Sequence, residues 1–373
     1  LTLRHSSSHY ILLCRLTDSP RRDYHFTSSF ADSVLLRGHS AILSLSSVAM
    51  ASASNPASGA ANPSSRKTFT VGTRKSKLAL SQTDLVVSAL KEVYPNYEFK
   101  IHSQETAGDL NTTIAFREFT TKNLWTEELE QHLMAGNVDL IVHSLKDVPT
   151  TLPPACTLGP MMEREDSRDV LVIKKGLPNM SLSDLPAGSA VGTSSIRRTA
   201  QLALKYPHLK VIDVRGNIGT RLSKLDAEDS PYTCIILAAA GLLRLGLDDR
   251  ISQYLDSKNG GMLYAVGQGA LGIEIRKDDQ HRGAKSATNL EGGCSAPLGV
   301  ETEWIKSSDG AKKLRMRSIV VSVDGKESAE VEIDGNVDSV QAAEDFGVTV
   351  AKELVVKGAG KILEDIQRNK QAA

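Results

Sequence analysis

From residue 67 onward, apolar and polar positions follow the two periods that distinguish strands from helices. TFTVGT is predicted as a strand, and SKLALSQTDLVVSALKEVYP as a helix whose apolar residues recur at three- and four-residue spacing. The succession continues through EFKIHSQ and the buried strand VDLIVHS (138–144). It restarts after REDSRD, with AVGTS, SIRRTAQLALKY, KVIDV, IGTRLSKLDA and CIILAAA. Strands that alternate with helices predict α/β domains with parallel sheets.

After Val300 the pattern changes from α/β to α+β. The stretches ETEWI, LRMRSIVVSVDG and ESAEVEIDG are predicted as antiparallel strands, with an Asp-Gly turn between the last two. One long closing helix is predicted in SVQAAEDFGVTVAKELVVKGAGKILEDI. The C-terminal part is therefore expected to be a separate, smaller domain.

Residues 1–66 lack this periodicity and are rich in Ser, Arg and Ala, with few acids. ASASNPASGAANPSS, which follows Met50, is a low-complexity stretch of the kind that stays disordered. Residues 1–49 are interpreted either as an organelle transit peptide or as upstream sequence translated in error, with Met50 as the true start. The absence of Met at position 1 favours the second interpretation and a cytoplasmic protein.

Charge and cysteine spacing narrow the function classes. Lys+Arg and Asp+Glu both number 44, whereas a protein devoted to nucleic acid or an anionic membrane is usually more basic. The four cysteines are scattered, without metal-type spacing or a disulfide framework, so we expect no metal site and a reducing compartment. The chain also lacks a P-loop, an HExxH motif and a paired CxxC, which argues against phosphoryl transfer and zinc hydrolysis.

Two stretches about 120 residues apart repeat one arrangement. VGTRKS (71–76) and VGTSSIR (191–197) each place Gly-Thr after a strand, then a hydroxyl and a cation at the start of a helix. A helix N-terminus beside an arginine is a ready anion site, so the repeat suggests two similar domains that face a shared cleft. Two ordinary serine N-caps are the alternative.

Further arginines follow successive predicted strands. Since ligands of parallel α/β sheets bind at the carboxyl ends of strands, we expect several of these side chains to converge on one rim. The planar guanidinium bonds both oxygens of a carboxylate or phosphate, so the set indicates a polyanionic ligand. Any single one could equally form a surface ion pair. The arginines are Arg197, Arg198, Arg215, Arg221 and Arg244.

Two more motifs carry candidate chemistry. HSLKDVPT places Lys146 beside Asp147 at the end of a predicted strand, where the carboxylate could be catalytic or could cap the following turn. LEGGCSAPLG places Cys294 in a loop of small residues, where packing gives no reason for a thiol.

Seven collinear stretches resemble the porphobilinogen deaminase (hydroxymethylbilane synthase) family in its eukaryotic form. They tile most of residues 70–300: VGTRKSKLALSQ, HSLKDVPT, GTSSIRR, VRGNIGTRLSKLD, AAAGLLRLGL, AVGQGALGIE and LEGGCSAPLG. The resemblance implies two periplasmic-binding-protein-like (type II) α/β domains around a cleft and a small α+β third domain. We divide the chain into an N-terminal extension, 1–66; a first domain, 67–166, completed by 259–282; a second domain, 167–258; and a third domain, 283–373.

The resemblance also implies a transferase of heme biosynthesis. Such an enzyme condenses four porphobilinogen molecules head to tail, releases ammonia each time, and finally frees the linear tetrapyrrole hydroxymethylbilane. The growing chain hangs from a dipyrromethane cofactor, which the matching cysteine, Cys294, would carry as a thioether. The thiolate is the nucleophile that forms such a bond.

Site residues are carried over position by position. Asp147 matches the carboxylate that faces the pyrrole nitrogens, stabilises positive charge and assists proton transfer. The cofactor-binding matches are Cys294, Lys146, Ser195, Arg197, Arg198, Arg215 and Arg244. The substrate-binding matches are Arg74, Ser76, Asn217, Arg221, Lys122 and Gln268. We expect a monomer with a small-molecule substrate and neither a nucleic acid nor a membrane partner.

Two departures from the family pattern lead to further expectations. In FREFTTKNLWTEEL, Lys122 is retained but Glu118 occupies the earlier lysine position, with Arg117 beside it, so anion gating could be altered. Only ten residues separate Asp279 from Leu290, where the family has at least one more helix. We therefore expect exposed strand faces such as SIVVSV, low solubility and weak cofactor loading. The alternatives to an active enzyme are an impaired deaminase variant and a non-catalytic anion-binding module.

Overall fold

The computed structural model describes residues 67–106, 126–277, 296–307 and 310–372, and the bounds below refer to this part of the chain. The strands are β1 Thr68–Arg74, β2 Glu98–Gln104, β3 Leu140–Ser144, β4 Cys156–Met161, β5 Asp169–Ile173, β6 Ala190–Gly192, β7 Lys210–Ile212, β8 Cys234–Ala238, β9 Gln253–Leu255, β10 Leu271–Arg276, β11 Leu298–Lys306, β12 Lys312–Val321 and β13 Ser328–Gly335. The α-helices are α1 Lys77–Val93, α2 Glu127–Met134, α3 Ile196–Lys205, α4 Ile218–Asp226, α5 Ala239–Arg244, α6 Val340–Val356 and α7 Ala359–Ala372. Short 3-10 helices cover Leu145–Asp147, Leu182–Asp184 and Asp248–Arg250.

Two five-stranded sheets share one topology. Their strand orders are β2-β1-β3-β10-β4 and β7-β6-β8-β5-β9. In each sheet the first three strands are parallel, and the fourth, β10 or β5, is antiparallel to both of its neighbours. This order makes both domains periplasmic-binding-protein-like domains of type II. The predicted parallel pairing is present among the first three strands of each sheet, whereas the fourth strand follows a crossing from the other domain and runs in the opposite direction.

The chain crosses between the two large sheets twice. It leaves the first sheet after β4 and enters the second with β5, and it returns between β9 and β10. We call residues 162–168 and 256–270 the hinge segments. β10 belongs to the first sheet although it follows the whole second sheet in sequence. The domain bounds given above stay a prediction.

The third sheet is antiparallel, in the order β11-β12-β13, with α6 and α7 packed against it. The single closing helix that we predicted is instead two helices. Gly358 has a φ of 103°, which ends the helical path, and its N–H donates to the Val355 carbonyl. A glycine in an otherwise periodic helical stretch is therefore the break between α6 and α7.

The apolar stretch SIVVSV is mostly covered. Ile319, Val320 and Val321 are each at most 2% exposed, and Val323 at the following turn is the exposed member, at 45%. Ile319 and Val321 pack against Ala200 of α3, whereas Val320 joins the core beneath α6 and α7. The expectation that these strand faces would be exposed is wrong, because the second domain covers one face and the closing helices cover the other.

Neither a membrane span nor a metal cluster is found in the described ranges. None of their helices is long and apolar enough to cross a bilayer. Their His, Cys, Asp and Glu side chains form no group of three or more that could hold a metal ion.

A cluster of buried ionisable groups lies between the first sheet and α2. His143 of β3 and Glu274 of β10 are buried, with Nε2 and Oε2 2.9 Å apart. Glu130 of α2 is 2% exposed. Burial raises the pKa of Glu130 above its ordinary value of 4.5, and the nearby negative charge of Glu274 raises it further. The folded protein therefore favours the protonated form of Glu130.

We expect Glu130 to make the folded state less stable as pH rises. Because its folded pKa lies above its unfolded pKa, its stabilising contribution is complete below about pH 4.5 and is lost as pH rises through the folded pKa. Glu130→Gln stays neutral, so its free energy of unfolding should depend less on pH. Urea unfolding of both proteins at pH 5 and pH 8 measures this difference. Equal pH dependences in the two proteins would contradict the prediction.

Candidate active site

Lys146 and Asp147 lie at the carboxyl end of β3, in the 3-10 turn Leu145–Asp147. Leu145 is buried, and its N–H donates to the carbonyl of Ala270 in the returning hinge segment. This contact fixes the turn, while Lys146 and Asp147 are only partly buried. The turn therefore directs a lysine and a carboxylate out of a rigid sheet edge.

Arg221 lies near Asp147 and near three further arginines, so that both large domains contribute charged groups around it. Arg221 of α4 is partly buried, and burial lowers its pKa to about 10. The positive charges of Arg198, Arg215 and Arg74 lower that pKa further, while the negative charge of Asp147 opposes them. Since such effects need short distances, Arg221 lies close to Asp147 and to Arg198, Arg215 and Arg74. We call these arginines the arginine cluster.

Three predicted site residues are helix N-caps. The Ser76 Oγ accepts from the Ala79 N–H at the start of α1 (3.2 Å), and the Ser195 Oγ accepts from the Arg198 N–H at the start of α3 (3.5 Å). Asn217 Oδ1 accepts from the Thr220 N–H at the start of α4 (2.9 Å). The capping alternative therefore describes both serines correctly, and the cap formed by Asn217 was not predicted. A side chain that accepts a hydrogen bond as a cap can still donate its own O–H or N–H to a ligand. The ligand contacts of these three residues therefore stay predictions.

Arg197 and Arg198 share a partner that the sequence reasoning missed. Asp169, the first residue of β5, accepts from Arg197 Nη1 at Oδ2 (2.7 Å) and from Arg198 Nη2 at Oδ1 (2.7 Å). Burial alone would raise the pKa of Asp169, but the two guanidinium groups more than offset it and hold that pKa well below its usual range. The sequence contains one signal for this carboxylate. Asp169 directly precedes the apolar run VLVI, so an acidic residue stands at the start of a strand that is expected to be buried.

Gln268 lies in the second hinge segment, and its side chain contacts residues of both large domains. Its side chain is fully buried, and Nε2 donates to Asp169 Oδ1 (2.9 Å) and to the Ser167 carbonyl (2.8 Å). Its Oε1 accepts from Lys146 Nζ (3.5 Å). The structure thus places this predicted substrate-binding residue between Asp169 and Lys146.

Arg244, at the end of α5, also reaches the hinge. Its Nη2 donates to the Gly269 carbonyl (2.7 Å), and burial lowers its pKa. Gly269 has a φ of 89°, and a Cβ there would overlap the Glu165 carbonyl oxygen of the other hinge segment. Only glycine lets the two hinge segments approach so closely.

Cys294 and Lys122, with the neighbouring Arg117 and Glu118, lie outside the described residues. The two described cysteines are Cys156 and Cys234, both buried, and burial raises the pKa of each thiol to about 12. Neither thiol is therefore suited to act as a nucleophile at neutral pH.

The cleft fits a ligand with several carboxylates. Within the described part of the chain, Arg198 Nε and Arg244 Nε are buried and have no hydrogen-bond partner. A buried donor left without an acceptor costs about 1–3 kcal/mol, and more when it is charged. Carboxylates of a dipyrromethane group would supply the acceptors that these two guanidinium groups need.

Two family models match successive parts of the chain. The family model described as "Porphobilinogen deaminase, dipyromethane cofactor binding domain" matches residues 69–283, and "Porphobilinogen deaminase, C-terminal domain" matches residues 287–356. Among solved structures, the BenM effector binding domain with its effector benzoate overlaps with a TM-score of 0.34 at 13% identity, over 56% of this chain and 83% of that one.

Curated relatives named porphobilinogen deaminase are similar over nearly their whole length. The Neurospora crassa protein is 47% identical over 329 residues, which cover 82% of this chain and 96% of the relative. The Yarrowia lipolytica protein is 49% identical, covering 79% and 92%, and the Saccharomyces cerevisiae protein is 46% identical, covering 80% and 97%. Since 82% of this 373-residue chain is fewer than 329 residues, part of the Neurospora relative lies opposite gaps in this chain. The chain belongs to the porphobilinogen deaminase family.

Proposed function

We propose that the chain is a hydroxymethylbilane synthase, which joins four porphobilinogen molecules head to tail with release of ammonia and yields the linear tetrapyrrole. The observation that carries this proposal is the group formed by Asp147, Arg221 and three further arginines, to which both large domains contribute. A carboxylate among cations suits a reaction in which a polyanionic substrate develops positive charge at its reacting centre.

Dipyrromethane, when bound, supplies the pyrrole end to which the next substrate is joined. We assign Cys294 to its covalent attachment. The side chains assigned to its carboxylates are Lys146, Ser195, Arg197, Arg198, Arg215 and Arg244. The unsatisfied donors on Arg198 and Arg244 support this assignment.

The arginine cluster binds the acetate and propionate groups that every porphobilinogen carries. Even with its pKa lowered to about 10, Arg221 stays charged at neutral pH. Four neighbouring cations repel one another, and bound carboxylates relieve that repulsion. The cluster therefore favours a ligand with several negative charges over a singly charged one.

Asp147 acts on the reacting pyrroles. Its carboxylate, fixed at the end of β3, opposes positive charge that develops on the pyrrole nitrogens, and it can hold a proton released there. Lys146, held by Gln268 Oε1, lies next to it and keeps a cation available for a substrate carboxylate. The turn Leu145–Asp147 thus places a positive and a negative side chain next to each other.

We further infer that the enzyme acts as a monomer in the cytoplasm, without a nucleic acid or membrane partner. One chain supplies both sides of the cleft, which supports a monomer. Cys156 and Cys234 are both free thiols, which supports a reducing compartment. The equal numbers of acidic and basic residues, 44 each, favour a small-molecule partner.

Replacing Arg221 with leucine is expected to raise KM for porphobilinogen about ten- to a hundredfold. Arg221 Nε already donates to the Gly216 carbonyl (2.7 Å), which leaves the two Nη groups for a ligand. A charge-assisted hydrogen bond contributes about 1.5–3 kcal/mol, which corresponds to that range. Arg221→Lys keeps the charge and loses the fork, so its KM should lie between the two. Steady-state kinetics measure this order, and a KM for Arg221→Leu within twofold of wild type would contradict it.

The proposed function is tested by intact mass and by product. The purified protein should carry an added mass of two pyrrole units, and it should release four ammonia molecules per tetrapyrrole formed. A protein with the polypeptide mass alone that releases no ammonia from porphobilinogen would contradict the proposal.

A further inference from the structure

We propose that Asp169 is a positioning residue for the cleft: its carboxylate fixes Arg197 and Arg198 in the orientation in which they meet ligand carboxylates. The inference rests on the proposed function, since it assumes that these two arginines bind cofactor or substrate. Asp169 itself does not touch the reacting atoms. It acts through the guanidinium groups that it holds.

The position of Asp169 makes its charge costly unless it is fully paired. It is the first residue of β5, directly after the first hinge segment, and it pairs with Ala238 on one side and Leu255 on the other. Its side chain is completely buried. A carboxylate in such a place is retained only where surrounding donors offset the loss of hydration.

Three donors meet the two oxygens of Asp169. Oδ2 accepts from Arg197, and Oδ1 accepts from both Arg198 and Gln268. Each guanidinium is held at a second point by a backbone carbonyl: Arg197 Nη1 donates to Leu263 (2.6 Å), and Arg198 Nη1 donates to Ile236 (2.7 Å). Two acceptors per guanidinium define the plane of each fork, and Nε is a nitrogen of Arg198 that has no hydrogen-bond partner among the described residues.

The carboxylate also offsets repulsion at the start of α3. Arg197 and Arg198 are neighbours in its first turn, where the helix already carries a partial positive charge. Arg221 adds a further cation that interacts with Arg198. Without a negative charge at position 169, the three guanidinium groups would repel one another. Arg197 and Arg198 would also lose the carboxylate to which both donate.

Asp169 is connected to the catalytic turn of the other domain. Because Gln268 Nε2 faces two acceptors, Asp169 Oδ1 and the Ser167 carbonyl, the amide oxygen must face Lys146. An asparagine at position 169 could direct its own N–H at Gln268 and favour the reversed amide, which would present a donor to a cation. Asp169 therefore orients groups on both sides of the hinge.

Asp169→Asn tests this role, with Asp139→Asn as the matched control. Asp139 is also buried, at 6% exposure; it accepts from the Thr70 N–H and faces Arg276 at 3.7 Å. It lies just before β3, at the opposite end of that strand from Lys146. Both variants should melt at lower temperature, because each loses a buried carboxylate. The two variants should differ in KM for porphobilinogen and in cofactor loading.

We expect Asp169→Asn to raise KM for porphobilinogen about tenfold or more, with a much smaller change in kcat, and to lower the fraction of chains that carry the added pyrrole mass. Asp139→Asn should keep wild-type KM and loading. If Asp169→Asn matches Asp139→Asn in both KM and loading while wild type is active, this inference is overturned. A wild-type protein with neither pyrrole mass nor turnover would instead overturn the proposed function.

A second variant decides the question if Asp169→Asn does not fold. Asp169→Glu keeps the negative charge between Arg197 and Arg198 but moves the carboxylate by one methylene group. If Asp169 acts by its position, this variant raises KM for porphobilinogen and lowers the loaded fraction although the charge is retained. Wild-type KM and loading in Asp169→Glu overturn the positioning role.

Discussion

Replacing Cys294 with alanine is expected to abolish covalent cofactor attachment and all turnover of porphobilinogen. The attachment is a carbon–sulfur bond, so a side chain without sulfur cannot form it. The other candidate thiols in the described domains are poor nucleophiles, because burial raises the pKa of Cys156 and Cys234 to about 12. The loss should therefore be complete rather than partial. Intact mass measures the loss of the cofactor directly, and release of ammonia from porphobilinogen measures the loss of turnover.

Cys156→Ala and Cys234→Ala are the matched controls for this prediction. Both remove a thiol from the core of a large domain, so both should lower the melting temperature while the added pyrrole mass stays. Cys294→Ala should show the reverse pattern, with the large domains folded and the mass absent. A Cys294→Ala protein that carries the added pyrrole mass and is active would show that another residue holds the cofactor.

Local patterns allowed the repeated part of the fold to be predicted. The periodicity located β1, α1 and β2, and the repeat at 71–76 and 191–197 anticipated that β1 and β6 occupy the same place in two sheets of identical order. Strand and helix periods depend on residues that are close together in the chain, so they can be read from a single sequence. The same holds for the serine caps, which both repeats contain.

The antiparallel strands and the buried carboxylate depend on distant residues. Whether β10 runs with or against β3 depends on how the chain returns after more than 100 residues, which no local period records. Asp169 was missed for the same reason, since its partners Arg197 and Arg198 lie 28 and 29 positions away. The sequence identified Arg197 and Arg198 as anion-binding residues, but only the structure shows that both donate to the carboxylate of Asp169.

Replacing Asp147 with asparagine is expected to lower kcat about 10²–10³-fold, with a much smaller change in KM. Asparagine keeps the size of the side chain and can still form hydrogen bonds, but it carries no charge to oppose a developing cation. Substrate carboxylates would still meet the arginine cluster, so binding should persist. Steady-state and single-turnover rates at saturating porphobilinogen measure the loss in the chemical steps.

Asp213→Asn separates this role from a general change of charge near the arginine cluster. Burial lowers the pKa of Arg215, and the negative charge of the nearby, exposed Asp213 opposes that shift. The variant therefore removes one charge beside the cluster without altering the turn at Asp147. If overall charge set the rate, both variants would be slow. If Asp147 stabilises the reacting pyrroles, Asp213→Asn keeps a kcat near that of wild type and only Asp147→Asn is slow. A near-normal kcat for Asp147→Asn would mean that the positive charge is stabilised elsewhere, since no isosteric amide can replace a carboxylate opposite a cation.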